Sequence, residues 1–301
     1  MKSKTLIAAL AGLFLFAVSL PAQDDFTNRQ QEVIRLLKSL KYQQGEIDLR
    51  DGLAKLTVPK DFNYLSPADA ATVLVKLWGN PPDGEKTLGL LMPAGMTPLT
   101  SNCWVVTIAY SDEGFVKDDD ASKINYDDLL KKMQKGTVSE NKERKKAGYR
   151  TVELLGWATP PRYDSATHKL YWAKKLKFEG DEAETLNYNI RMLGRRGVLE
   201  LNAIASMDQL PEIQQETPQI LGMVDYKEGH RYADFDPKVD KVAAVGIAAL
   251  VAGGVIGAKL GFFKLFWVAL VALQKFVVIG LIAVAAFFKK IFNRNGTVGR
   301  K

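Results

Sequence analysis

Cysteine and histidine are scarce in this sequence. The 301 residues contain one cysteine, Cys103, and two histidines, His168 and His230. A single cysteine cannot form an internal disulfide, and a zinc site needs three or four His, Cys or carboxylate ligands. Histidines 62 residues apart provide no such spacing. We therefore predict no metal and no cofactor, and we interpret Cys103 as a small buried hydrophobe in a strand.

Recognisable catalytic motifs are also missing. No Gly-x-Ser-x-Gly sequence marks a serine nucleophile. The acidic run at residues 118–120 lacks the alternating ligands, central glycine and distant glutamate of an EF-hand. The sequence thus favours a binding, scaffolding or assembly function over catalysis. The alternative is an envelope hydrolase or a ligand-binding sensor domain with a pocket in the strand-rich half, where His168 is the candidate base.

Acidic residues are absent from both ends of the chain. All 34 Asp and Glu lie between Asp24 and Asp240, whereas that region and Lys241 hold 31 of the 41 Lys and Arg. Residues 24–241 therefore carry a net charge of about −3, and the basic balance of the whole chain belongs to its ends. This removes the electrostatic argument for nucleic-acid binding.

The N-terminus has the pattern of a secretory signal peptide. Lys2 and Lys4 precede an apolar run that ends in Pro21-Ala22. A basic start, a short apolar core and a small residue predict a signal peptide over residues 1–22, cleaved after Ala22. The alternative is an uncleaved N-terminal anchor.

The C-terminal quarter predicts a membrane anchor at residues 241–290. Residues 242–258 contain no charge, and a second apolar block follows at 265–288. One crossing at 242–263 would leave the basic tail, residues 291–301, in the cytoplasm, as the positive-inside rule favours. The hydrophobic length of the second block favours two crossings. Either arrangement predicts a bacterial inner-membrane protein whose main domain lies on the periplasmic side.

Small residues recur at every fourth position of the first apolar block. A face of this kind lets membrane helices pack closely. It predicts contact with the second apolar block or with a second copy of the chain, in addition to the lipid bilayer as partner. The four residues are Ala249, Gly253, Gly257 and Gly261.

Residues 23–240 predict an exported α+β domain, with a possible subdivision near residue 148. Asp51-Gly52 between two apolar-alternating runs is typical of a hairpin. Helices are expected at 126–135 and 137–146. From residue 149 the pattern changes to four strands with short connections, one of them at residues 159–164, which favours an antiparallel meander.

Several segments resemble a bacterial envelope family of unknown function, numbered 2167 and described as membrane-anchored. The most specific segment runs from Leu186-Asn187-Tyr188 to Gly194-Arg195-Arg196-Gly197. Further segments are 157–164, 170–174, 229–232 and 234–235. The resemblance implies an anchored domain and carries no activity, cofactor or catalytic residue.

Exposed aromatic and basic residues form the candidate interaction surface. Aromatic residues around a Pro-Pro sequence are suited to contact a peptide or glycan of the envelope. The alternative is that Trp157 and Trp172 are core residues of neighbouring strands. Adjacent arginines are suited to bind a phosphate or carboxylate, although a solvated hairpin turn has the same pattern. The candidates are Trp157, Tyr163, Tyr171, Trp172, Arg195, Arg196 and His230.

Overall fold

The computed structural model describes residues 22–79 and 87–253. The chain divides into two compact units, residues 1–39 and residues 40–301. The first unit contains helix α1, Ala22–Ser39, in which Arg35 forms an ion pair with Glu32 one turn earlier. The predicted signal peptide lies outside the described residues, apart from Ala22 at the start of α1.

The described part of the second unit is an α+β fold built on a large antiparallel sheet, as the sequence predicts. Its strands run in chain order β1 Tyr42–Gln43, β2 Gly45–Leu49, β3 Ala54–Val58, β4 Phe62–Leu65, β5 Gly89–Pro93, β6 Val105–Ser111, β7 Val152–Asp164, β8 Lys169–Phe178, β9 Thr185–Leu193, β10 Val198–Ser206 and β11 Val224–Tyr226. Eight strands form one sheet in the order β1-β4-β5-β6-β10-β9-β8-β7, and β11-β3-β2 form a second sheet. The large sheet therefore combines strands from both sides of residue 148.

The helices pack around these sheets. They are α2 Pro67–Ala71, which continues as a π-helical segment Thr72–Leu77, α3 Tyr126–Lys146, α4 Leu210–Met223 and α5 Ile247–Ala252. Within residues 22–79 and 87–253, no helix is both long and apolar enough to cross a membrane. Two expectations are confirmed: the Asp51-Gly52 hairpin joins β2 to β3, and β7 to β10 form an antiparallel meander.

Two local predictions are wrong. Residues 126–146 form one helix, because the hydroxyl of Thr137 donates to the Met133 carbonyl inside the helix and caps no new one. Residues 159–164 continue strand β7. Because β7 is the edge strand of the sheet, Pro160 and Pro161 can sit in it without breaking an internal ladder, and the β7–β8 register shifts around them.

Two apolar clusters occupy opposite faces of the large sheet. On one face, β9 and β10 pack with the small sheet and α4. On the other face, Leu170 and Trp172 of β8 pack with α3 and α5. Alternation along a strand sends successive side chains to opposite faces, so Trp172 is buried while Tyr171 stays half-buried.

The start of the predicted membrane helix differs in the structure. Val242 forms a parallel β-bridge with Phe115, and α5 begins only at Ile247 and ends at Ala252. The Asp120 carboxylate accepts from the N–H of Ile247 at 3.2 Å, which holds the first turn of α5 on the domain. Gly253 then takes a left-handed conformation, φ 79°, which interrupts the predicted small-residue face. Gly257 and Gly261 lie outside the described residues.

Candidate functional site

Residues 229–246, here called the connector, join β11 to α5 and form both ion pairs and stacked-ring contacts with the rest of the domain. Asp240 in the connector accepts from Arg195 Nε and Arg196 Nε, each at 2.6 Å. Its side chain is completely excluded from solvent. Arg195 also donates to the Gly229 carbonyl, so one arginine contacts the connector at its first residue and again at Asp240.

The β9–β10 turn can present these arginines because glycines flank them. A side chain at Gly194 would clash with the Tyr226 ring, and one at Gly197 would clash with the Ser111 carbonyl. The two glycines thus allow the turn to lie close against its neighbours. In this structure the carboxylate that the two arginines bind is the chain's own Asp240.

Four aromatic rings stack beside this ion-pair cluster. Phe115 lies between Phe235 and Tyr232 of the connector, with ring centroids 3.8 and 4.4 Å away. The His168 ring covers the other side of Tyr232 at 4.0 Å. The stack therefore joins the connector to the loop before α3 and to the β7–β8 turn.

The His168 end of the stack carries a polar cluster. Tyr163 donates to Asp118 Oδ2 at 2.6 Å and lies 3.2 Å from His168 Nδ1. His168 Nδ1 is 3.5 Å from the same Asp118 oxygen. Burial raises the pKa of Asp118, but hydrogen bonds led by that from Tyr163 outweigh it and lower this pKa overall. Burial and the Asp118 hydrogen bond raise the pKa of Tyr163.

This cluster contains the elements of a general base. A histidine near a carboxylate can act as a base, and the 3.5 Å between His168 Nδ1 and Asp118 Oδ2 would have to shorten to form a direct hydrogen bond. His168 also adopts a left-handed backbone conformation, φ 50°, which is uncommon outside glycine. Within the described residues, no group of three His, Cys, Asp or Glu side chains is placed to hold a metal ion.

A second polar group lies on the α3-facing side of the large sheet. Thr107, Asn202, Asn189 and Trp172 face one another across four neighbouring strands. All four are almost fully buried. Among the described residues, the Thr107 hydroxyl and the Trp172 indole N–H have no hydrogen-bond partner.

The charged residues of this face lie beside that row. Arg191 on β9 pairs with Glu200 at 3.1 Å and donates to Asn202 at 3.0 Å. Its guanidinium also lies 5.0 Å from the centre of the Trp172 ring. Burial, and then the nearby Arg191 charge, lower the pKa of the buried Lys174 well below its usual value. The α3-facing side of the sheet thus carries a buried polar strip.

A groove of about 500 Å³ runs between α3 and the edge strand β7. Asn141 of α3 donates to the Val152 carbonyl and accepts from the Val152 N–H. Gln134 donates to the Leu154 carbonyl. These side chains form hydrogen bonds with backbone N–H and C=O groups of β7 that could otherwise pair with a strand of another chain.

The predicted surface residues do not form one patch. Trp157 and Tyr163 pack against the α3–α5 cluster, whereas Tyr171 packs against the opposite cluster and Trp172 is core. Arg195 does contact His230, because its N–H donates to the His230 carbonyl at 2.9 Å, and it shares Asp240 with Arg196. Sequence reasoning missed Asp118, Phe115 and Asp240. No local motif marks these three residues, and their partners are distant in sequence.

The comparisons place the chain in a family without an assigned activity. The sequence model described as "Protein of unknown function (DUF2167)" matches residues 41–285. No curated protein matches the sequence.

Two solved structures show limited similarity. Cyanobacterial PsbP (CyanoP) from Synechocystis sp. PCC 6803 is 11% identical with a TM-score of 0.34, over 63% of this chain and 93% of that one. A point mutant of the protein Mog1 is 8% identical with a TM-score of 0.28, over 62% of this chain and 95% of that one. At these TM-scores, neither likeness bears on function.

Proposed function

The chain belongs to the DUF2167 family, and we propose that this member is a binding, scaffolding or assembly module held at the bacterial inner membrane. Its main domain lies on the periplasmic side, behind a cleaved signal peptide. Residues 254–288, which follow the part of the apolar stretch that packs in the domain, supply the anchor, because an apolar sequence of this length is enough to cross a bilayer.

One observation carries the proposal: the connector that leads to the apolar stretch is fastened to the domain. Asp240 is buried under two arginines, and Phe115 stacks on two connector rings. Beyond them, Ile247 and Leu250 of α5 are part of the apolar core. A tether that only kept a domain near a membrane would need none of these contacts. A fastened connector fixes the orientation of the domain, which suits a module that assembles with other envelope components.

Membrane fractionation of the full chain tests this proposal. We expect the full chain to sediment with inner membranes and to resist extraction at high pH. A chain ending after Gly253, which keeps α5, should appear in the soluble periplasmic fraction. A full chain that is extracted like the shortened one would contradict the anchor. If the full chain stays in the membrane, an impermeant thiol reagent acting on a Lys301→Cys variant in intact envelopes distinguishes one crossing from two. The reagent labels this cysteine only if there are two crossings.

The proposed partners are the bilayer, an envelope protein or glycan, and a second copy of the chain. Because Ala249 is buried in the domain, a homo-oligomer formed in the membrane would use the later glycines, Gly257 and Gly261. Cross-linking of a Gly257→Cys variant in native membranes, with Cys103 replaced by alanine, tests this contact. A disulfide-linked dimer at low expression supports it, and a monomer under oxidising conditions contradicts it.

The alternative, a hydrolase or ligand-binding sensor, is favoured by one observation, the 3.5 Å approach of His168 to Asp118. Under this alternative, a His168→Ala variant loses any hydrolysis of p-nitrophenyl acetate that the purified chain shows, and a Trp157→Phe variant retains it. Equal rates in both variants would remove the candidate base and with it the catalytic alternative.

A further inference from the structure

Two valines in the connector are turned toward solvent. Val239 is 68% exposed and Val242 is 41% exposed, although both precede a helix that is almost wholly buried. Only five large hydrophobic side chains are exposed among the described residues, and these two lie three positions apart. Apolar side chains grouped in this way are typical of a contact surface.

Hydrogen bonds fix the outward direction of these valines. Asp240 lies in a tight turn whose N–H groups at Val239 and Asp240 donate to the Asp236 carbonyl. The Asp240 carboxylate also accepts from the Asp236 N–H at 2.8 Å and is held from the other side by Arg195 and Arg196. Because Asp240 points inward, its neighbour Val239 points outward. Val242 lies beyond the turn, in the bridge to Phe115, and its side chain is also exposed.

The charges around the valines are positive at the surface. Lys238 and Lys241 are exposed beside them, and the Arg196 side chain is 54% exposed. The acidic residue of the turn, Asp240, is buried, and Asp236 is half-buried with its carboxylate accepting from the Lys238 N–H. Exposed lysines interleaved with apolar side chains are suited to an anionic lipid surface, where the cations meet headgroups and the apolar groups enter below them.

We propose that residues 238–242 form a membrane-contact turn, which seats the domain on the headgroup region of an anionic bilayer. The inference rests on the proposed membrane attachment and adds which face of the domain meets the lipid. A bilayer fits better than a protein partner for two reasons. The turn is separated by only four residues from α5, after which the apolar sequence continues. Two valines and two lysines are also far fewer residues than a specific protein interface uses.

Fluorescence quenching of the full-length chain in vesicles tests the turn. Cys103 is replaced by alanine, and single cysteines at Val239, Val242 or Val138 carry a polarity-sensitive dye. Val138 on α3 is the matched control, because it is also a valine and is 66% exposed. The vesicles contain phosphatidylglycerol and phosphatidylethanolamine, with a nitroxide on the lipid headgroup.

We expect a blue-shifted emission and about twofold stronger quenching at positions 239 and 242 than at position 138. Replacing Lys238 and Lys241 by glutamate should reduce the quenching at position 242. If the protein binds the membrane but shows equal quenching at all three positions, the proposal that residues 238–242 contact the membrane is wrong, and the proposed anchor is unaffected. A blue shift that grows with protein concentration and comes without quenching would show that residues 238–242 contact a second copy of the chain. That result would also contradict the proposed membrane contact. A chain that does not float with vesicles would instead contradict the proposed function itself.

Discussion

Arg195 and Asp240 form an ion pair across 45 residues of sequence, with Nε and Oδ2 2.6 Å apart and the carboxylate wholly excluded from solvent. A buried carboxylate is tolerated only when donors surround it. Here two arginines and the Asp236 N–H supply them. The hairpin turn between β9 and β10 thereby holds the connector in place between β11 and α5.

Removing this carboxylate should release the connector. In Asp240→Asn, two charge-assisted bonds weaken and the arginines lose their counter-charge, so we expect the thermal midpoint to fall by roughly 5–10 °C. Hydrogen exchange should increase over residues 229–246. Asp225→Asn is the control, because Asp225 forms a solvent-exposed pair with Arg231 at 3.7 Å, and such pairs contribute little. Equal midpoints for the two variants would contradict a stabilising role for the buried pair.

The connector should come loose in acid. Burial raises the pKa of Asp240, but hydrogen bonds from Arg195, the Asp236 N–H and Arg196 outweigh it and lower this pKa. A carboxyl whose folded pKa is lowered stabilises the fold above its unfolded pKa, near 4, and loses that contribution as the pH falls through the folded value. Urea midpoints should therefore fall below about pH 4. They should fall less in Asp240→Asn, and an equal acid sensitivity of both chains would contradict this assignment.

The edge strand β7 depends on a side chain of α3. Asn141 both donates to and accepts from the backbone of Val152, at 2.8 and 3.0 Å. Asn141→Ala leaves both groups without these partners and opens the edge, so we expect a loss of about 1–3 kcal/mol in unfolding free energy and earlier aggregation on heating. Lys142→Ala, at the exposed neighbouring position, should change neither. Unaltered aggregation in Asn141→Ala would show that the edge needs no such cover.

How much of this architecture the sequence predicts depends on how local the signal is. The β2–β3 hairpin and the meander follow from turn residues and alternation within a few positions. Strand β9 shows the limit of that reasoning. Its alternation of Leu186, Tyr188 and Ile190 with polar residues suggests one solvated face, yet the entire strand is buried. Which elements cover a sheet is decided by distant parts of the chain.

The candidate site depends on still longer-range contacts. Arg195 and Arg196 stand out in the sequence, but their partner is one aspartate among 34 acidic residues. His168 meets Asp118 and Tyr163 only because the β7–β8 turn returns to the loop before α3. The composition of the apolar stretch from residue 242 onward also predicts a membrane helix. In the structure, Ile247 to Ala252 complete the core of the domain instead.

Thr107 carries a buried hydroxyl that finds no hydrogen-bond partner in the part of the chain that the structure describes. Valine has nearly the same shape, so Thr107→Val removes the desolvated group without opening a cavity, and the unfolding free energy should rise by about 1 kcal/mol. Thr217→Val is the matched control. The Thr217 hydroxyl is also buried but donates to the Ile213 carbonyl at 2.6 Å, so its loss should not stabilise the protein. Stabilisation of both variants alike would mean that the added apolar character is responsible, and not the unpaired hydroxyl.

Cys103 should be inert in the native protein. Burial first, and then the Glu212 charge, raise the pKa of its thiol to about 12. Because the thiolate is the reactive form, the fraction available at pH 8 is roughly a thousandfold below that of a thiol with a pKa near 9. Iodoacetamide should therefore label the chain in urea within minutes and leave it unlabelled without urea, as read by intact mass. A pKa raised on folding also means that the stability linked to this thiol is fully present below about pH 9 and is lost as the pH rises from there toward the folded value. Rapid labelling of the folded chain at pH 8 would contradict both the burial of Cys103 and its interpretation as a core residue.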